Sequence, residues 1–221
     1  LDYIRRSLII SGELYTMMEE DGLRGVTSNP AIFEKAITGS SDYLESLHLL
    51  RDHPGITVES LYEHLALRDI QDAASTMLPV YGQTNRRDGY VSLEISPYLS
   101  QNTQGTLEEA RHLWKKLGQD NVMIKVPATP EGIVAVQQLI AEGINVNVTL
   151  LFSQEVYAQV AQAYIAGLET LAQRNGDLQK IASVASFFIS RIDTTVDRLV
   201  ELRIKKASSP REQDLLRNLL G

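Results

Sequence analysis

The sequence predicts an α/β fold built on a parallel sheet, with a (β/α) barrel favoured over a doubly wound sheet, and three observations support that expectation. From residue 90 onward, short apolar runs alternate with longer amphipathic segments in units of about thirty residues, the rhythm of strands joined by crossover helices. Neither G-x-G-x-x-G nor G-x-x-x-x-G-K occurs, so the nucleotide fingerprints common in doubly wound sheets are missing. Polar residues stand near the C-terminal ends of successive apolar runs, which is where barrel enzymes place their chemistry.

The elements follow in order. "GVTSNP" (25–30) reads as a short strand ended by Pro30, and residues 31–82 read as mostly helical. The clearest helix there is 57–82, with Thr57 and Ser60 as candidate caps and Leu61, Leu65 and Ile70 marking a buried face. "YVSLEI" (90–95) is the next strand. In 106–118, Thr106 and Glu109 read as a capping box, Leu107, Ala110, Leu113 and Leu117 make one apolar face, and Gly118 is a stop. "VMIKVP" (122–127) is a strand, followed by Thr129 as N-cap, Pro130 as first helical residue and Gly143 as stop. "VNVTLLF" (146–152) is a strand, Ser153 caps the helix after it, and "IASVASFFI" (181–189) is a further strand. No linker or composition shift divides the chain, so residues 1–221 are expected to form a single, partial (β/α) barrel domain.

Composition narrows the function classes. With 221 residues, 43% hydrophobic and 22% charged, the chain is ordinary globular protein. Its net charge of −7 and dispersed Lys and Arg argue against nucleic acid as partner. The absence of cysteine removes disulfides, Cys-ligated zinc and thiol nucleophiles, and fits a cytoplasmic protein. No stretch has the length and apolarity to span a bilayer, and the N-terminus lacks a signal-peptide layout, so no membrane role is expected. The chain begins without Met, so Leu1 is not taken as a natural start.

Lys125 poses the central question, because it stands within the apolar run "VMIKVP". A lysine there is paired with an anion, placed where the strand meets solvent, or present to react. In "VSLE", "VMIK" and "VNVT" the fourth residue is Glu94, Lys125 and Thr149, while "GVTSN" ends in Thr27, Ser28 and Asn29. In neighbouring parallel strands about 4.8 Å apart, Glu94, Lys125 and Thr149 are expected to form one row. Singly each has an ordinary explanation: an ion pair for Glu94 and Lys125, strand propensity for Thr149, a turn for Asn29. Together they favour a shared site. A lysine beside a carboxylate and a hydroxyl suits Schiff-base chemistry, in which the amine attacks a ketone and the iminium becomes an electron sink for breaking or making a C–C bond. Burial favours the neutral amine and a carboxylate favours the ammonium, leaving the two in competition. Glu94, with water held by Thr149, is a candidate proton shuttle. His48, His53, His64 and His112 fall in helical or loop segments away from the row and are expected at the surface, which disfavours metal catalysis.

"GVTSNPAIFEKAI", "VSLEISPYLS", "NVMIKVPATPEG", "GINVNVTLLFS" and "ASVASFFISRID" resemble, in order and spacing, the motifs of the transaldolases over about residues 1–200. The resemblance implies a (β/α)8 TIM-type barrel that forms a Schiff base and moves a dihydroxyacetone unit between ketose and aldose phosphates in the pentose phosphate pathway. The expected partners are fructose 6-phosphate, sedoheptulose 7-phosphate, erythrose 4-phosphate and glyceraldehyde 3-phosphate, and no cofactor is expected because the lysine is the electron sink. It implies Lys125 as the Schiff-base lysine and Asp2 as the residue that exchanges the substrate hydroxyl proton. Glu94 and Thr149 match the pair that positions the catalytic water, and Asn29 and Asn147 match residues that hold substrate and lysine. Ser186 matches the contact to the dihydroxyacetone part, and Arg191 the phosphate site, where a guanidinium suits bidentate contact. Thr27 and Phe188 join the substrate-binding set; Phe188 stands where the related fructose-6-phosphate aldolases have Tyr, which favours transfer over lysis.

Two departures from the family pattern shape the expectation. The last two βα units and most of the first strand are missing, so five strands of eight are expected, with open sheet edges. Lysis without transfer, and a non-catalytic sugar-phosphate-binding fragment, are the competing readings; both monomer and homodimer remain open.

Overall fold

The computed structural model describes residues 1–51 and 55–220. Its strands are β1 (Gly25–Thr27), β2 (Tyr90–Glu94), β3 (Val122–Pro127), β4 (Val146–Leu151) and β5 (Ser183–Phe187). Its helices are α1 (Arg6–Ile10), α2 (Glu13–Glu20), α3 (Pro30–Thr38), α4 (Leu44–Arg51) and α5 (Val58–Gln83), then α6 (Thr103–Leu117), α7 (Pro130–Ala141), α8 (Gln154–Gln173), α9 (Ile189–Ile204) and α10 (Pro210–Arg217).

The sheet is wholly parallel and runs β1-β2-β3-β4-β5, each strand beside its sequence neighbour. A doubly wound sheet reverses its strand order at a switch point, whereas a barrel adds each strand on the same side. The order here is that of the barrel, and the five strands form a curled, half-barrel-like sheet. Asp2 adds a single parallel bridge to Thr27 outside β1.

The two sheet faces differ sharply. Val91, Leu93, Val122, Ile124, Val126, Val146 and Val148 alternate toward the helix layer and join one aliphatic core with Ala110, Leu113, Val136 and Leu139. Burying each such large aliphatic side chain contributes about 1.5–3 kcal/mol. The opposite, concave face takes Ser92, Glu94, Met123, Lys125, Asn147 and Thr149, by the period of two along each strand. Tyr90 and Met123 fill that face toward the N-terminal ends of the strands.

Helix caps follow local chemistry. Thr57, Thr129 and Ser153 accept from the backbone N–H groups of Ser60, Gly132 and Val156, and Ser60 returns the bond to Thr57 to complete a capping box. The expected capping box at Thr106 and Glu109 is overturned. Asn102 caps α6 by accepting from Gly105, one turn earlier, while the Thr106 hydroxyl donates to the Leu99 carbonyl and Glu109 accepts from the Ser96 N–H. Tertiary partners claimed both side chains. Leu65 and Ile70 are fully buried, but Leu61 is only half-buried and lines a surface cavity instead. The expected strands over 25–30 and 181–189 shrink to three and five residues, because Asn29 caps α3 and Phe188 starts α9.

His48, His64 and His112 are exposed, with His112 bonded to Glu63 at 2.8 Å; His53 lies outside the described residues. Among the described residues no helix is long and apolar enough to cross a membrane, and no group of three or more His, Asp or Glu is placed to hold a metal ion.

Candidate functional site

Lys125 is 5% exposed, in a strand whose six residues are all buried. Its Nζ donates to the Ser28 carbonyl at 2.9 Å and lies 3.3 Å from Glu94 Oε2. The ammonium is therefore compensated by a carbonyl and a carboxylate. Glu94, its register partner on β2, keeps 18% of its side chain exposed and is close enough to take the proton that the amine must lose before it can attack a carbonyl.

The expected row is corrected at one position. Lys125 pairs in register with Glu94 and Asn147, while Thr149 pairs with Pro127, two residues further on. Counting from strand starts places Thr149 beside the lysine; the hydrogen-bond register places Asn147 there. Thr149 still lies on the concave face, 2% exposed, just before a bulge in which Leu150 adopts a φ of 63°. That left-handed conformation costs a side-chain-bearing residue about 1–2 kcal/mol, and bulges of this kind re-aim neighbouring side chains.

The other candidates fall into two groups. Asn147 is buried, donates from Nδ2 to Ser92 Oγ at 3.1 Å and accepts from Ser186 Oγ at 2.8 Å. Thr27 donates to Asp2 Oδ1 at 2.6 Å, so these two are brought together at the exposed first edge of the sheet. Asn29 spends its side-chain oxygen on the Ile32 N–H. At the last strand, the Phe188 and Phe152 rings stack with centroids 5.7 Å apart, and the exposed Arg191 guanidinium lies 4.5 Å from the centre of Phe188. Arg191 occupies the first turn of α9, where unpaired N–H groups already favour an anion.

Ser92 has no part in the sequence reading, and Ser28 appears there only among three strand-end polar residues, yet both border the lysine's surroundings. The Ser28 N–H and hydroxyl both donate to the Ser92 carbonyl, at 3.2 and 2.8 Å. The only sequence signal for Ser92 is period two: it shares a face with Glu94.

A cavity of about 680 Å³ opens beside Glu94, between α3, α5 and the end of β2, with Tyr62, Ile95 and Glu109 in its wall. Burial and the neighbouring carboxylates push the Tyr62 phenol up to about 12. Burial also raises Glu109 above its ordinary 4.5. The folded state therefore holds this proton more tightly than the unfolded chain does. The group's stabilising share is complete below pH 4.5 and is lost as pH rises through the folded value. Glu109→Gln, which keeps an oxygen for the Ser96 N–H, is expected to raise the melting temperature by about 2 °C at pH 7 and to match the parent below about pH 4, as calorimetry across pH would show.

A family model described as Transaldolase/Fructose-6-phosphate aldolase matches residues 1–218. The chain belongs to this family. It is 48% identical to a transaldolase of Trichodesmium erythraeum over 208 residues, covering 94% of this chain and 54% of that protein. It is 46% identical to transaldolase 2 of Nostoc punctiforme over 206 residues, with 93% and 54% covered. A transaldolase of Thermobifida fusca is 44% identical over 219 residues, with 99% and 59% covered. The chain thus spans little more than half the length of these curated relatives.

Proposed function

We propose that the protein of which this chain is part is a transaldolase of the pentose phosphate pathway: it transfers a dihydroxyacetone unit between ketose and aldose phosphates through an imine on Lys125. The observation behind this reading is a buried lysine on the concave face of a parallel sheet, 3.3 Å from a carboxylate. Attack of the Lys125 amine on the ketose carbonyl and loss of water give the iminium. Its positive nitrogen draws the electron pair released when the neighbouring C–C bond breaks. Glu94 and Thr149 are assigned the water and proton transfers of imine formation and hydrolysis, and Asp2 the substrate hydroxyl proton. Thr27, Asn29, Asn147, Ser186 and Phe188 are assigned to the sugar, and Arg191 with the α9 N-terminus to the phosphate.

The register supports a closed (β/α)8 barrel around this site. Taking the Glu94–Lys125–Asn147 register line as reference, Thr27 lies two residues below it, Glu94 and Lys125 on it, and Thr149 two above; Ser186 also lies two above Val184, the partner of Asn147. The candidates therefore climb about one residue per strand from β1 to β5. A shear of eight spread over eight tilted strands requires about that climb to keep side chains at one height. We read the chain as a single partial barrel domain, whose β5 edge further βα units would cover in the whole protein. A cytoplasmic setting accords with the absence of cysteine.

The test is borohydride reduction of the full-length protein with fructose 6-phosphate, followed by intact-mass and peptide mass spectrometry. A ketose or three-carbon adduct confined to Lys125 is expected; a folded protein without adduct refutes the reading. Glu94→Gln is expected to keep the adduct but slow its formation by about 10²–10⁴-fold, the usual share of a general acid–base group. Product formed equally well without an acceptor aldose would replace transfer by lysis.

A further inference from the structure

We infer that Ser92 is a positioning residue, whose hydroxyl braces Asn147 across the inner face of β3 on the N-terminal side of Lys125. Ser92 and Asn147 belong to β2 and β4, which are separated by a whole strand. Two strand spacings amount to about 9.6 Å in a flat sheet, and Ser and Asn side chains do not bridge that distance comfortably. The 3.1 Å bond between Asn147 Nδ2 and Ser92 Oγ exists because the sheet curls and turns both side chains into its concave side.

The register fixes where this brace runs. Asn147 is the partner of Lys125, and Ser92 the partner of Met123. A bond joining them crosses β3 between Met123 and Lys125. It forms a polar floor below the lysine, with Met123, Tyr81 and Tyr90 packed further toward the N-terminal end. The lysine Nζ is found on the Ser28 carbonyl, 3.3 Å from Glu94 Oε2.

Ser92 has a second hold on the same group, because its own carbonyl accepts from both the N–H and the hydroxyl of Ser28. Asn147 continues the chain outward by accepting from Ser186. Ser92 and Asn147 are 2% and 1% exposed, so water does not readily replace a missing partner. Removing the Ser92 hydroxyl strands the Asn147 amide and lets it rotate, while the backbone hold on Ser28 stays. The predicted loss is therefore specific to Asn147 and to what it orients.

This inference rests on the Schiff-base reading, and the experiment separates the two. The rate of borohydride-trappable adduct formation with fructose 6-phosphate is measured in the full-length protein for Ser92→Ala, Asn147→Ala and the double variant, with melting temperature as the folding control. Ser92→Ala is expected to lower the rate by about 10- to 100-fold, the size of effect that a small misplacement of site groups produces. Ser92→Thr, which keeps the hydroxyl, is expected to retain most of the rate. Ser92→Cys, similar in size but a weak acceptor, is expected to lose it, so the comparison survives should the alanine variant not fold. In the Asn147→Ala background, Ser92→Ala is expected to change little, because the bond it serves is already gone. A wild-type rate in folded Ser92→Ala, or a loss of equal size in both backgrounds, overturns the role assigned to Ser92. A wild-type protein that forms no adduct overturns the Schiff-base reading instead.

Discussion

Lys125→Met in the full-length protein is expected to abolish adduct formation and to lower the rate of transfer by at least about 10⁴-fold, the scale seen when a covalent nucleophile is removed. Methionine keeps the length and apolar stem of the side chain in a strand where all six residues are buried, so the packing of β3 survives. What is lost is the donor to the Ser28 carbonyl and the cation 3.3 Å from Glu94. Glu94 retains 18% side-chain exposure, which lets water solvate the carboxylate left behind, and the fold is therefore expected to persist. Intact-mass spectrometry after reduction and a coupled transfer assay check both parts. Turnover above about 1% of wild type in this variant would mean that the amine is not the electron sink, and Lys125 would revert to an ion-pair partner of Glu94.

The interior of the sheet was legible because parallel strands buried on both faces read as short, nearly continuous apolar runs. The strand at 122–127 has the bounds found in the structure, and those at 90–94 and 146–151 fall one residue short of the expected ends. Caps were legible where the side-chain oxygen still accepts the local backbone N–H, as at Thr57, Thr129 and Ser153, even though the Thr129 hydroxyl also donates to the Ser100 carbonyl. At Thr106 and Glu109 the same local signal misled, because both side chains serve long-range bonds that no window of sequence contains. The candidate site reads in the sequence as a set of strand-end polar residues, but its register does not. Position counted from strand starts approximates height along a tilted barrel, whereas hydrogen bonds run perpendicular to the strands; hence Asn147, not Thr149, stands beside Lys125. Ser92 is not legible because a small hydroxyl in a strand is common and only the curl of the sheet gives it a partner two strands away; Ser28 reads as a strand-end polar residue, with no sign that its carbonyl receives Lys125. Asp69 was missed for a different reason. Set among Arg68, Gln71 and Asp72, it reads as part of a solvated helix face.

Asp69→Ala is expected to cost about 3–5 kcal/mol of stability, the usual penalty for removing one partner of a buried ion pair. Asp69 is fully buried on α5 and accepts from Arg6 Nε at 2.9 Å and from the Tyr43 hydroxyl at 2.7 Å. Arg6 also donates to Ser46 at 2.7 Å, and its guanidinium lies 4.5 Å from the centre of the Tyr43 ring. One carboxylate on α5 thus holds Arg6 of α1 and Tyr43, just before α4, while Arg6 itself reaches Ser46 of α4, and loss of the carboxylate leaves a guanidinium and a fully buried phenol without their shared acceptor. Asp69→Asn, which keeps one oxygen, is expected to lose about half as much, and urea unfolding of the three proteins would rank them. Replacing both charges, as in Arg6→Met with Asp69→Leu, is expected to recover much of the loss because no uncompensated charge remains. The consequence for chemistry lies in the chain path. Arg6 follows Asp2 by four residues, and the segment leading to it is held by the bridge of Asp2 to Thr27, the Thr27 hydroxyl, the bonds of Leu1 to Gly25 and Thr27, and the buried Ile4. Freeing Arg6 therefore loosens the segment that presents the proposed proton-transfer carboxylate. In Asp69→Asn the Leu1–Arg6 amides should exchange faster with solvent than those of β3, and turnover should fall even at temperatures where the protein is fully folded. Unchanged exchange at Leu1–Arg6 would confine the cluster's role to global stability.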